Sequence, residues 1–175
     1  IIMMQFSQVF HSLDKERVIA AFLESDRLSI AGFEAGMPPD REKRSKSFLR
    51  ILGIKESYAG TITKAYVREY PMINIPIVGA VPLVKALSTR FPIAIISNGL
   101  PDMQYLKIEA IGLRDVISCV VLSEEIGIRK PDPRIFQRAA DVLQVQPADC
   151  LYVGDSYRND IIGAKTAGMR ACWYN

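Results

Sequence analysis

The stretch Leu151-Tyr152-Val153-Gly154-Asp155-Ser156-Tyr157-Arg158-Asn159-Asp160 constrains this chain more than any other. A short apolar run that stops at Gly-Asp reads as a buried parallel strand delivering a carboxylate to the end of a sheet. A second carboxylate, Asp160, follows as an apolar helical pattern of Ile161, Ile162, Ala164 and Ala167 begins. Two acids at one strand-to-helix turn suit a hard cation, because magnesium binds one or two carboxylates, keeps several waters and leaves positions for substrate phosphate. The same residues also fit an ordinary βα loop with Asp as a helix cap. The choice rests on the remainder of the chain.

Length and composition narrow the classes. A chain of 175 residues can bury a real core and suits one domain plus an insertion. With 49% apolar and 23% charged residues it matches neither a disordered nor a membrane class. A net charge of +3 is too weak to imply a nucleic-acid partner. No segment approaches the ~18 consecutive apolar residues of a membrane span, and no basic-then-apolar start resembles a signal peptide. A cytoplasmic location is therefore expected. Cys119, Cys150 and Cys172 are odd in number and lie in apolar runs without C-x-x-C or paired histidines, so they read as buried free thiols in a reducing compartment.

Residues 1–75 carry helical periodicity and read as an α-helical subdomain. Met3, Phe6, Val9 and Phe10 fit one helix face; Ser12 can cap a second helix lined by Val18, Ile19, Phe22 and Leu23. After a break at residues 36–39, Phe48, Leu49, Leu52 and Ile54 form another apolar face with Gly53 near its end, and a further helix runs over about 58–70. The basic residues Arg41, Lys43 and Arg44 read as a solvated helix face, with contact to an anionic substrate as the sharper alternative. From residue 76 to 175 the texture alternates: helix 79–89, strand 92–97, helix 101–111, strand 116–122, helix 133–143, strand 150–155, a helix to 168, and strand 169–174. Four apolar strands separated by helices predict an α/β fold, a Rossmann-like parallel sheet covered on both faces. In such sheets chemistry gathers at the carboxyl ends of the strands.

Those ends carry a consistent set. Ser97-Asn98-Gly99 puts a hydroxyl and turn amides where an anion could sit. Lys130, between Gly127 and the prolines 131 and 133, is a cation in a rigid setting. With Asp155 and Asp160, the sheet would gather a hydroxyl and a cation for phosphate oxygens and carboxylates for magnesium, the positioning that phosphoryl transfer needs.

In this order, Ile95-Ile96-Ser97-Asn98-Gly99, Lys130-Pro131-Asp132-Pro133 and Gly154-Asp155-Ser156-Tyr157-Arg158-Asn159-Asp160 resemble motifs II, III and IV of the haloacid dehalogenase superfamily. The helical first half is similar in place and length to that family's cap. The resemblance implies a core at 76–175 and a cap at 1–75, with Ser97, the Asn98 amide and Gly99 on the phosphoryl group and Lys130 neutralising its charge. It also implies Asp155 as a ligand of Mg2+, with Asp160 either a ligand through water or the group that orients Lys130. Gly-Asp followed by Asp resembles the magnesium-dependent, nucleotidase-like phosphatases of small phosphorylated metabolites, whereas the dehalogenases carry a Ser-Asn type sequence there and need no metal. A 2-haloacid dehalogenase and a non-catalytic phosphate binder are the alternatives.

The family's nucleophile, the first Asp of D-x-D-x-T/S, has no counterpart before the helical half. Covalent catalysis through an aspartyl-phosphate requires that carboxylate. Two readings are open: motif I precedes Ile1, as the absent initiator methionine suggests, or residues 1–10 are a degenerate first strand with Gln5 and Ser7 where the acids would stand. The family places that strand between the strand ending at Asp155 and the one ending at Ser97. Without it, two strand edges are left unpaired.

Overall fold

The computed structural model describes residues 10, 13–35, 37–38, 40–73 and 75–175. The chain divides into two compact units, Ile1–Tyr70 and Pro71–Asn175. The expected faces of Met3, Phe6 and Val9, the Ser12 cap and the Gln5 and Ser7 positions lie outside the described residues.

The first unit contains α1 (Lys15–Glu34), α2 (Arg41–Leu52) and α3 (Ala59–Glu69), the first two with side-chain caps at their starts. The Asp14 carboxylate accepts from the Glu16 and Arg17 amides at 2.8 and 3.0 Å, satisfying donors that a helix start leaves open. Asp40 does the same for α2 through the Lys43 amide at 2.9 Å. Gly53 ends α2 at φ 75°, and the Ile54 amide returns to the Leu49 carbonyl. Phe10, Val18, Ala21, Phe48, Leu49, Leu52, Ala59 and Ile62 are buried together. The buried face of α1 differs from the expected one. Val18 and Phe22 face inward, but Ile19 and Leu23 are exposed, and Ala21 and Ser25 take the interior positions. Small residues win there because α1 packs closely on α2, as the T-shaped Phe22–Phe48 contact at 6.2 Å shows.

The second unit runs α4 (Ala80–Ser88), β1 (Ala94–Ser97), α5 (Pro101–Ala110), β2 (Cys119–Leu122), the short α6 (Ser123–Ile126), α7 (Pro133–Leu143), β3 (Leu151–Gly154), a π-helical turn (Tyr157–Ile162), α8 (Gly163–Thr166) and β4 (Arg170–Trp173). The four strands are each shorter than expected, the helix over 133–143 has the expected ends, and the expected helix to 168 divides into the π-helical turn and α8. β1 pairs in parallel with β2 and β3 with β4. Among the described residues these pairs are two separate two-stranded sheets.

Between them sits a core of Ile96, Cys119, Val121, Ile135, Phe136, Ala139, Ala140, Ala164, Ala167 and Met169. Helix α7 supplies its largest share: Ile135, Phe136, Ala139 and Ala140 fall on one face at helical spacing. Asp132 caps α7 through the Arg134 amide, with Pro133 at the first helical position. Gly163 is required here, since a Cβ would come within 2.6 Å of the Phe136 ring.

Coverage of the strands on both faces holds for β2 but not for β3 and β4. Leu151 and Val153 are 62% and 59% exposed, because β3 packs chiefly on β4 and on the turn that follows it. For the same reason only one of the three free thiols is fully buried: Cys119 is, Cys150 is partly buried, and Cys172 on β4 is exposed.

Phe136 has no exposed surface and touches both the α8 glycine and the Tyr152 ring, 5.0 Å between centroids. Phe136→Ala is expected to destabilise the second unit by about 3–5 kcal/mol through lost transfer energy and an unfilled cavity. Urea unfolding followed by circular dichroism measures this, and a change under about 1 kcal/mol would contradict the packing described.

Candidate phosphoryl-transfer site

Of the residues singled out in the sequence, Asn98 after β1, Lys130 in the loop before α7 and Asp160 in the turn after β3 are joined by hydrogen bonds, with Ser97 at the end of β1. β1 ends in Ser97, whose hydroxyl oxygen accepts the Gly99 amide proton at 3.0 Å and so tightens the turn into α5. The Asn98 side chain reaches across to the Lys130 backbone. Its Oδ1 accepts the Lys130 amide at 2.9 Å and its Nδ2 donates to the Lys130 carbonyl at 3.0 Å. This two-point clamp ties the loop before α7 to the end of β1, a role for the Asn98 side chain that sequence reasoning missed.

The clamped loop aims the Lys130 ammonium at the turn after β3. Its Nζ lies 2.6 Å from Asp160 Oδ1 and 3.0 Å from the Tyr152 hydroxyl, and the Lys130 and Asp160 side chains are only 13% and 4% exposed. Asp160 is fully engaged. Oδ1 also accepts from the Tyr152 hydroxyl at 3.1 Å, and Oδ2 accepts from the Ser156 amide at 2.9 Å. In return Ser156 Oγ accepts from the Asn159 amide, a reciprocal arrangement like a capping box. Gly154 makes this approach feasible: a Cβ there would meet the Asp160 side chain at 2.5–2.6 Å.

Burial alone would favour the neutral form of Asp160. The hydrogen bonds from Lys130 and Ser156, the Lys130 charge and the Tyr152 hydroxyl outweigh it and hold the carboxyl below the usual carboxylate range. Burial first, and then the Asp160 charge, push the Tyr152 phenol well above its ordinary value, so it remains a protonated donor at neutral pH.

Asp155 stands apart from this cluster. It is exposed, and its carboxylate has no hydrogen bond or ion pair among the described residues, while its carbonyl is held by Trp173 Nε1 at 2.9 Å. No group of three or more acidic, Cys or His side chains gathers as a metal cage among the described residues. Magnesium does not require one, since it binds through one or two carboxylates plus waters and substrate phosphate. The donor set thus fits the ion with Asp155 as a free carboxylate and Asp160 already committed to protein donors.

The basic residues of α2 are largely occupied within their own unit. The Arg44 guanidinium pairs with Asp26 at 3.0 Å and stacks over the Tyr66 ring at 4.3 Å. Lys43 is exposed, with the Met37 sulfur 3.9 Å from its ammonium.

Tyr152 was the other residue that sequence reasoning missed. The available signal was a tyrosine in an otherwise aliphatic strand, two positions before Gly154 and so on the same face.

Comparison with known proteins accords with this geometry. The chain matches the haloacid dehalogenase-like hydrolase family over residues 10–168 and belongs to it. It is 36% identical over 150 residues to the phosphoserine phosphatase of Thermus thermophilus, covering 84% of this chain and 60% of that protein. It is also 36% identical over 117 residues to the pyrimidine 5'-nucleotidase YjjG of Escherichia coli, covering 66% of this chain and 52% of that one. The chain thus spans a little over half the length of these curated relatives. The magnesium-bound HAD-hydrolase YfnB of Bacillus subtilis shares the fold, with a TM-score of 0.81 at 23% identity over 99% of this chain and 81% of that one.

Because the Asp160 carboxyl is held below its unfolded-chain value of ~3.9, its ionised form favours the folded state. This contribution is fully present above the unfolded value and is lost as pH falls through the lower folded value. Denaturation midpoints are therefore expected to drop as pH falls below about 4, and Asp160→Asn is expected to flatten that part of the profile. An unchanged acid slope in the variant would contradict the assignment.

Proposed function

We propose that the chain is the cap and most of the core of a magnesium-dependent phosphomonoester hydrolase acting on a small phosphorylated metabolite, such as a nucleotide or sugar phosphate. The observation that carries this reading is the Lys130 ammonium, fixed against Asp160 at strand ends beside the Ser97–Gly99 turn. The names of the two curated relatives, a pyrimidine 5'-nucleotidase and a phosphoserine phosphatase, support it. In this reading residues 1–75 are the cap and 76–175 the core. The Ser97 hydroxyl, the Asn98 amide and Lys130 bind the phosphoryl oxygens, and Gly99, its amide held by Ser97 Oγ, shapes the turn around them. Asp160 acts in catalysis by orienting Lys130, leaving any contact of its own with the metal to pass through water.

Asp155 would hold Mg2+, which when bound neutralises phosphate charge that a single lysine leaves uncompensated. The nucleophilic carboxylate of an aspartyl-phosphate route comes from outside these 175 residues. It attacks phosphorus as the ester oxygen departs, and water then releases orthophosphate. No helix among the described residues is long and apolar enough to cross a membrane. A cytoplasmic location accords with three unpaired thiols.

The full-length protein is expected to hydrolyse p-nitrophenyl phosphate with magnesium and to lose that activity with chelator. Asp155→Asn is expected to lower kcat by on the order of 100-fold or more. Normal activity in Asp155→Asn would overturn the metal assignment. Chloride release from a 2-haloacid without metal would make the protein a dehalogenase, and no hydrolysis at any magnesium concentration would make it a non-catalytic binder.

A further inference from the structure

We propose that Tyr152 is a positioning residue of this site, one that sets the direction of the Lys130 ammonium through its hydroxyl; the proposal rests on the phosphatase reading above. Three polar atoms close a triangle: Lys130 Nζ to Asp160 Oδ1 at 2.6 Å, Lys130 Nζ to Tyr152 Oη at 3.0 Å, and Tyr152 Oη to Asp160 Oδ1 at 3.1 Å. A phenol has one proton to donate, and the Asp160 carboxylate receives it. The phenol oxygen is then left to accept from the ammonium.

Of the three ammonium protons, one is directed to Asp160 and one to Tyr152, which determines where the third points. With Asp160 alone, the ammonium could turn about its contact and the flexible lysine stem could follow. The tyrosine also makes Asp160 a fixed pivot, because the two Oδ1 donors, Lys130 and Tyr152, and the Ser156 amide on Oδ2 hold both carboxylate oxygens.

The hydroxyl is itself held in place. The Tyr152 ring packs edge-on against the fully buried Phe136 at 5.0 Å, and its hydroxyl lies 3.5 Å from the Ile96 carbonyl of β1. Tyrosine at this strand position therefore spans from the β3–β4 pair to the end of the β1–β2 pair. Phenylalanine would preserve the packing and remove the two hydroxyl contacts that direct Lys130, its own to the ammonium and its donation to Asp160.

The test uses Tyr152→Phe, Lys130→Met and the double variant in the full-length protein. Tyr152→Phe is expected to lower kcat for p-nitrophenyl phosphate by about tenfold with KM changed less than about twofold, at an unchanged melting temperature. The double variant is expected to be no slower than Lys130→Met alone, because the tyrosine acts through the lysine. Additive losses, or full activity in Tyr152→Phe, would overturn the proposal.

A second measurement does not depend on turnover. The Lys130 ammonium resonance, assigned by its loss in Lys130→Met, is expected to exchange with water at least about fivefold faster in Tyr152→Phe, as one of its hydrogen bonds is gone. Unchanged exchange would overturn the positioning role even in a protein with no esterase activity. An inactive wild type with the expected change in exchange would instead overturn the phosphatase reading and leave Tyr152 as the group that orients Lys130.

Discussion

The second unit depends on a nearly buried ion pair between Lys130 and Asp160. One partner comes from the loop after β2 and the other from the turn after β3, so the contact ties together strand pairs that share no backbone hydrogen bonds among the described residues. Taking two charges out of water costs nearly what their attraction returns, so such a pair adds little net stability. Removing one partner is far worse, at about 3–5 kcal/mol, because a charge is then buried alone. The pair acts as a constraint on position, and the neighbouring residues are arranged to satisfy it. Gly154 leaves room for Asp160, Ser156 and Tyr152 complete its hydrogen bonds, and Asn98 holds the lysine loop against β1.

That polar assembly sits above an apolar one. Helix α7 places Ile135, Phe136, Ala139 and Ala140 between the strand pairs, and Phe136 touches both the residue that directs the lysine and the glycine that opens α8. The core and the site are therefore coupled through one aromatic side chain. Asp155 is left out of this network and is exposed. A carboxylate already bonded to lysine and backbone amides would have to exchange those partners for the metal.

Much of this was legible in the chain. The four strands, the helices between them, Gly53 near the end of its helix and the placement of Ser97, Lys130, Asp155 and Asp160 at strand-end turns follow from local periodicity and turn chemistry, which need only near neighbours. The inward face of α1 was not legible, because Ile19 and Leu23 suit a helical stripe as well as Ala21 and Ser25 do, and the closeness of α2 decides between them. The full burial expected of β3, β4 and their cysteines was not legible either. Apolar runs record what a strand can bury, whereas actual coverage depends on its neighbours in the sheet.

The sequence by itself determined the family and the α/β order, and it singled out the candidate loops at the strand ends, because each rests on residues adjacent or periodic along the chain. Only the tertiary structure decided the different surroundings of the two acids, Asp160 joining the lysine and Asp155 facing solvent, and brought Tyr152 and the Asn98 side chain to Lys130. Those contacts join residues 22 to 32 positions apart. Their distances are set by how β1, β3 and α7 pack, and no local pattern records that.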